Sequence, residues 1–412
     1  MPTPQTPYDA VLHAARDVTA VGTALEAEML GGALLGGVYA VAAADGDRAR
    51  AVRDFVGRFL THTARRRTGA ARAIRSVFAA LSPDAPGAGA VRPGADPPAW
   101  SAHLGRVRPA GAWASGDVYG DQTSYLAMFR YDDAELGGGE HAVVALVDHN
   151  IGIVKNLFVS ESGGRVLDQV RKGAEADDLV WFSEVDPGKL RAEVGYHLEV
   201  TDCLTTLPDQ GSLATDRALA GARLAILPAT GSPPAPLSVD PAALVEEFLA
   251  APHAAGLDRA TPAAEATVRY AIRLILDFAR EAPDADPLRW SPAVAGLFLL
   301  DWVHRRAVLD ADDVATLPEV LRAWVDWCGQ RRGLPAAAVA ATQETIQAMS
   351  GELAGRHRRG EHGSPATAAV AKLLAAGVDP EDQAAVQAWL AANPDPGEDS
   401  GNGAVPRVPY PR

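Results

Sequence analysis

Apolar residues recur along the chain with two different periods, and the switch between them divides it. From residue 8 to about residue 44 the spacing is three and four, as at Val11, Leu12, Ala15 and Val18, which predicts amphipathic helix. Asp45-Gly46-Asp47 breaks that pattern. A second helix is expected beyond it, with Val52, Phe55, Val56, Phe59 and Leu60 on one face. A third is expected over Gly69–Leu81, through Ile74, Val77, Phe78 and Leu81. The period then falls to two. Residues 123–131 place Thr123, Tyr125, Ala127, Phe129 and Tyr131 on one face and Ser124, Leu126, Met128 and Arg130 on the other, which predicts a strand. Residues 107–113 predict a strand before it. His141–Val147 (HAVVALV) is a short apolar run suited to a central strand. Residues 151–159 fit either a further strand or the start of a helix. Residues 163–173 and 186–199 read as helices, 179–182 as a strand and 217–227 as a short helix. The middle of the chain is therefore expected to be an α+β unit with a mainly antiparallel sheet.

Proline and glycine punctuate this pattern. The segment SPDAPGAGAVRPGADPPA (82–99) carries five prolines and predicts a linker, as does PATGSPPAPLSV (228–239). The expected organisation is an N-terminal helical segment (1–81), the first linker, a central α+β unit (100–227) and the second linker. A C-terminal helical domain (240–393) and a disordered Pro-rich tail (394–412) follow. In the C-terminal part Asp240-Pro241, Thr261-Pro262 and Ser291-Pro292 read as a cap followed by proline, each opening a helix. Further helices are expected over about 311–331, 335–354, 364–376 and 380–392. Trp290, Trp302, Trp324 and Trp327 read as core of that domain.

Composition adds limits. Apolar residues make up 48% of the 412 and aromatics only 6%, so alanine, leucine and valine must fill most of the core. The net charge of −14 argues against a surface that coats nucleic acid as a whole. Cys203 and Cys328 stand far apart in no ligand spacing, which fits a cytoplasmic protein with packing thiols. No leader is read at the start, and the uncharged run 29–44 is shorter than a membrane span, so it predicts buried helix. Gly32 and Gly36 in that run suit close helix packing. One asymmetry stands out. Residues 58–75 hold six arginines and no acid, and Arg65, Arg66, Arg67, Arg72 and Arg75 are candidate phosphate or nucleic-acid contacts.

The densest polar groups flank the strands. One turn holds Asp117, Tyr119, Asp121 and Gln122, and a second holds Asp148, His149 and Asn150, followed by Lys155. If strands 123–131 and 141–147 pair antiparallel, the start of one lies beside the end of the other, and the two turns meet. Asp121 and Asp148 could then share a divalent cation, which prefers carboxylate oxygen. His149 could ligate or act as a base, and Lys155 could stabilise developing negative charge. That set would suit a metal-dependent phosphoester hydrolase or nuclease. The competing reading is local: Asp, Asn and Gly are turn formers whose side chains bond nearby backbone. No P-loop, HExxH helix, GxSxG elbow or paired-cysteine zinc site is present, and no cofactor is indicated.

The segments DVYGDQ, ALVDHN, VRYAIRLILDFAR (268–280), PLRWSP and VLRAWVDWCGQRRGLP together resemble uncharacterised proteins of high-GC actinobacteria. The resemblance spans nearly the whole chain outside the tails and linkers. It implies a cytoplasmic protein of several segments and assigns no activity or site residue. The expectation drawn from the residues is a non-catalytic interaction or regulatory protein with a protein partner or self-association and no membrane contact. The alternatives are the metal-dependent hydrolase and nucleic-acid binding through 58–75.

Overall fold

A computed structural model describes residues 6–42, 46–92, 94, 96–208, 211–235, 240–359, 361, 369–370, 372–373, 376–379 and 382–393. The expected helix over 364–376 falls largely, and the expected tail over 394–412 wholly, outside the described residues. The chain forms two compact units, Met1–Ala235 and Pro236–Arg412.

The first unit opens with helices α1 (Pro7–Ala14), α2 (Ala24–Val41), α3 (Arg48–Thr63) and α4 (Gly69–Leu81). The single helix expected over 8–44 is two helices. The reason is a capping box: Thr23 Oγ1 accepts from the Glu26 amide, and the Glu26 carboxylate accepts from the Thr23 and Gly22 amides, so a new helix starts there. By length and composition α2 could cross a membrane, and half of that window is buried inside the unit.

The sheet follows. Its strands are β1 (Val107–Asp117), β2 (Gln122–Tyr131), β3 (Glu140–Asp148), β4 (Ile153–Ser160) and β5 (Val180–Glu184). A short helix, α5 (Ala134–Gly137), interrupts the connection from β2 to β3. Helix α6 (Gly163–Ala176) precedes β5, and α7 (Pro187–Asp202) and α8 (Leu213–Leu224) follow it. All neighbouring strands are antiparallel, in the order β4-β3-β2-β1-β5. The α+β expectation holds. Residues 151–159, which fitted two readings, form strand β4 from Ile153 onward.

One face of the sheet carries Ala112, Ala127, Phe129, Tyr131, Val143, Ala145, Val147, Val154 and Leu157, and these share a core with the N-terminal helices, α7 and α8. The other face carries Leu126, Met128, Ala142 and Val144 beneath Val166 and Leu167 of α6. Gly163 lets α6 sit close there, because a Cβ at that position would lie 2.4 Å from the Met128 sulfur.

The expected division at 82–99 is not a boundary between compact units. Ala85, Ala88 and Trp100 are buried in the same core as Phe59, Phe78 and Phe129. Proline there shapes a turn against the helices: Pro86 sits over Gly57, where a Cβ would come within 2.9 Å of it. The second unit holds α9 (Pro241–Ala250), α10 (Pro262–Glu281), α11 (Pro292–Leu297) and α12 (Val303–Arg306), with a π-turn (Phe298–Trp302) between the last two. It continues through α13 (Ala311–Arg332), α14 (Ala336–Arg358) and α15 (Gln383–Ala392). Trp290, Trp302, Trp324 and Trp327 are buried in its core, and the Trp324 and Trp327 rings lie 5.0 Å apart. Within the π-turn the Leu300 carbonyl accepts from the Arg356 guanidinium at 2.8 Å.

Close approach of α2 and α8 depends on glycine. A Cβ on Gly36 would lie 2.7 Å from the Ala214 carbonyl oxygen and the Thr215 Cα, both backbone atoms that cannot rotate away. Gly37, on the same helix, has nothing within 4 Å of that position. Gly36→Ala is therefore expected to cost ~1–3 kcal/mol through overpacking. Gly37→Ala should gain up to ~1 kcal/mol from helix propensity. Urea unfolding of the two variants checks this; equal effects would contradict the packing.

Candidate functional site

The two polar turns do meet. In the β2–β3 ladder Gln122 lies directly opposite Asp148. The register follows from the alternation of residues 123–131, because the apolar face of β2 must match that of β3. The His149 amide donates to the Asp121 carbonyl at 2.8 Å, which closes the two turns on each other.

Most of the side chains brought together hold those turns. Asp117 accepts from the amides of Asp121 (3.0 Å) and Gln122 (2.8 Å), while Gly120 takes a φ of 82° between them. Asp148 is buried. Its Oδ2 accepts from Gln122 Nε2 at 3.1 Å and Lys155 Nζ at 3.4 Å, and its Oδ1 from the Asn150 amide at 3.1 Å. Lys155, expected to stabilise a reacting anion, thus neutralises Asp148. Tyr119 is buried. The His149 ring lies 3.0 Å from Thr123 Oγ1. Among the described residues, no three or more His, Cys, Asp or Glu side chains converge so as to hold a metal ion. The Asp121 and His149 backbones and the Asp148 side chain thus join the two turns.

Residues outside those turns extend the polar region. His197 of α7 is buried 5.5 Å from His149, ring to ring and edge-on. Its Nδ1 donates to the Gly152 carbonyl at 2.9 Å, and its Nε2 has no hydrogen-bond partner. Glu193, one turn earlier on α7, is half-buried; burial raises its carboxyl above the ordinary range, against the opposing pull of His197 and Lys189. Burial and then Glu193 raise the Tyr125 phenol. The Glu193–His197 spacing of four was visible in the sequence as one helix face. What it did not show was which strand that face would cover.

A second group lies deeper and has no counterpart in the sequence reading. Glu28 of α2 and Arg223 of α8 form a fully buried ion pair. Tyr131 donates to Glu28 at 2.6 Å, and Arg223 donates to Tyr131 at 2.6 Å and to His141 Nε2 at 2.8 Å. The Gly105 amide supplies Glu28 with another donor at 2.7 Å. Burial, then the neighbouring Arg223 charge, push His141 down to about 3. A third group binds Asp202 between Arg217 (2.9 Å at Nε) and Tyr39 (2.7 Å).

The arginine-rich segment is dispersed. Arg66 pairs with Asp9 at 3.1 Å and Arg58 donates to the Asp54 carbonyl. Arg72 and Arg75 are half-buried along α4, with Arg72 against Gly94. Arg65 and Arg67 remain as exposed members at the α3–α4 turn, a small footprint for a polyanion.

A wide cleft lies elsewhere. A cleft of about 670 Å³ runs over α8, between the end of α4 and α7. Ala214, Ala218, Gly221 and Ala222 form its floor, and Leu81, Leu198 and Ile226 contribute apolar walls. Three of its arginines are engaged, Arg217 with Asp202, Arg223 with Glu28, and Arg191 with the carbonyls of Ala225 and Leu227, and Arg53, Asp84 and Glu199 also line it. Comparison with protein families, with curated proteins and with solved structures finds no match to this chain.

His141 gives the unit a pH dependence. The unfolded chain protonates it near 6.5, the folded one only near 3. Between those values the unfolded state binds more protons, so stability falls as pH falls through that window, by up to ~1.4 kcal/mol per unit. Urea unfolding at several pH values should show this slope, and His141→Phe should reduce it. A slope unchanged in the variant would contradict the assignment.

Proposed function

We propose that this is a non-catalytic interaction or regulatory protein, and that its first unit receives a protein partner in the cleft over α8. The observation that carries the reading is the cleft itself. It combines a volume of about 670 Å³ with a floor of small side chains and with arginines already committed to carboxylates or carbonyls. A surface of that kind offers area for burial. The polar turns support the same reading, since Asp148, Lys155 and Gln122 are spent on one another. A cytoplasmic location and a protein partner remain part of the proposal.

The test is affinity capture with the intact protein and with Ala218→Trp, which fills the floor of the cleft. A partner held by the unaltered protein and lost by the variant, with melting temperatures alike, is the expected result. A partner kept by the variant, or none retained by either protein, would contradict it.

A further inference from the structure

The two edges of the sheet are treated differently. On β4 the outward backbone groups are covered by side chains from α7 and α8. The Val154 amide donates to Thr201 Oγ1 at 2.9 Å, and the Val159 amide donates to Asp216 Oδ2 at 2.9 Å. The Leu157 carbonyl accepts from Ser212 Oγ at 3.1 Å. On β5 nothing comparable is present. The Val118 amide bonds the Leu179 carbonyl and the Val185 amide bonds the Ala112 carbonyl. With the register Trp181↔Gly116 and Ser183↔Ala114, that alternation turns the amides and carbonyls of Trp181 and Ser183 toward β1. Those of Phe182 and Glu184 face away from the sheet, and among the described residues no side chain meets them.

An edge of this kind is a template for another strand unless it is blunted by proline, lysine, a bulge or a cover. VWFSE holds no proline, lysine or bulge, and only its five-residue length and the charge of Glu184 limit it as a template. It presents Trp181, 37% exposed, with its indole N–H fixed on the Asp117 carbonyl at 3.1 Å and its ring over Gly116. Fixed aromatic anchors of this type dominate many interfaces. The charges at the two ends of the strand are acidic, since Asp177 and Asp178 precede it, Glu184 ends it and Asp186 follows, while Arg171 of α6 lies over the Phe182 ring, 5.5 Å from its centroid. A second copy paired antiparallel about Phe182 would set Asp178 against Asp186 of the other copy, which like charge disfavours.

We propose that the free edge of β5 accepts an extended, basic segment of a partner protein, added antiparallel or parallel as a further strand. The outward amides and carbonyls of Phe182 and Glu184 bond the added backbone. The acidic residues at both ends of β5 select lysine or arginine in the segment's flanks. None of the β5 residues lines the cleft over α8, so this surface and that one stand or fall separately.

The probe is a fluorescein-labelled peptide of alternating valine and threonine with lysine at both ends, titrated with the full chain and followed by anisotropy. Saturable binding is expected, and a peptide ending in glutamate should bind roughly tenfold more weakly or worse. Glu184→Pro removes an outward amide and leaves the β1 ladder intact, so it should weaken the lysine-ended peptide by roughly tenfold or more. Glu184→Gln keeps the amide and should weaken it less. In the unaltered protein, saturation with the peptide should slow hydrogen exchange at the Phe182 and Glu184 amides. Ala218→Trp should bind the peptide normally. The proposal is overturned if the lysine-ended peptide does not bind, if both peptides bind alike, or if those two amides exchange as fast with the peptide as without it.

Discussion

A carboxylate and a guanidinium face each other in the core of the first unit, both fully shielded from water. Charges in such a place are costly to desolvate, and the cost is offset only when each is paired and its remaining hydrogen-bonding capacity is used. Glu28 meets that condition through Arg223, Tyr131 and the Gly105 amide, and Arg223 through Glu28, Tyr131 and His141. The four side chains come from α2, β2, β3 and α8. Their mutual need for satisfaction fixes two helices against two strands at one point, which apolar contact alone would not do, because apolar packing has no direction. The close α2–α8 contact at Gly36 and the burial of Ala85 and Ala88 belong to the same enclosure.

That constraint also bears on function. Polar groups that looked available for chemistry are used to hold the fold. Asp148 closes a turn with Gln122 and Lys155, and Asp117 caps the turn before β2. What the first unit leaves open is surface: a cleft floored by alanine and glycine, and one uncovered sheet edge beside Trp181. An interaction protein needs surfaces of that kind, and they require no reactive group.

Local features were legible in the sequence. The helix over Gly69–Leu81 and the strands around 123–131 and 141–147 follow from period and burial, and the approach of Gln122 to Asp148 follows from antiparallel pairing once the faces are matched. The division of the 8–44 helix was written in Thr23 and Glu26, three apart, but a long apolar run obscured it. Distant pairings were not legible. Glu28 and Arg223 are 195 residues apart, and nothing in either's neighbourhood marks it as buried rather than solvated. The Pro/Gly-rich segment 82–99 misled for a related reason: proline specifies local geometry and says nothing about whether the resulting turn is enclosed. Similarly, the arginines of 58–75 cluster in sequence but are divided among α3, the turn after it and α4, where Arg72 and Arg75 are half-buried.

The role of the buried pair is tested most directly by a double-mutant cycle on folding stability with Glu28→Gln and Arg223→Met. Each single change leaves a charge buried without its partner and should cost roughly 3–5 kcal/mol. The double variant should cost clearly less than the sum, with a coupling above ~1 kcal/mol. Costs that add to within ~0.5 kcal/mol would contradict the claim that this ion pair holds the helices to the sheet.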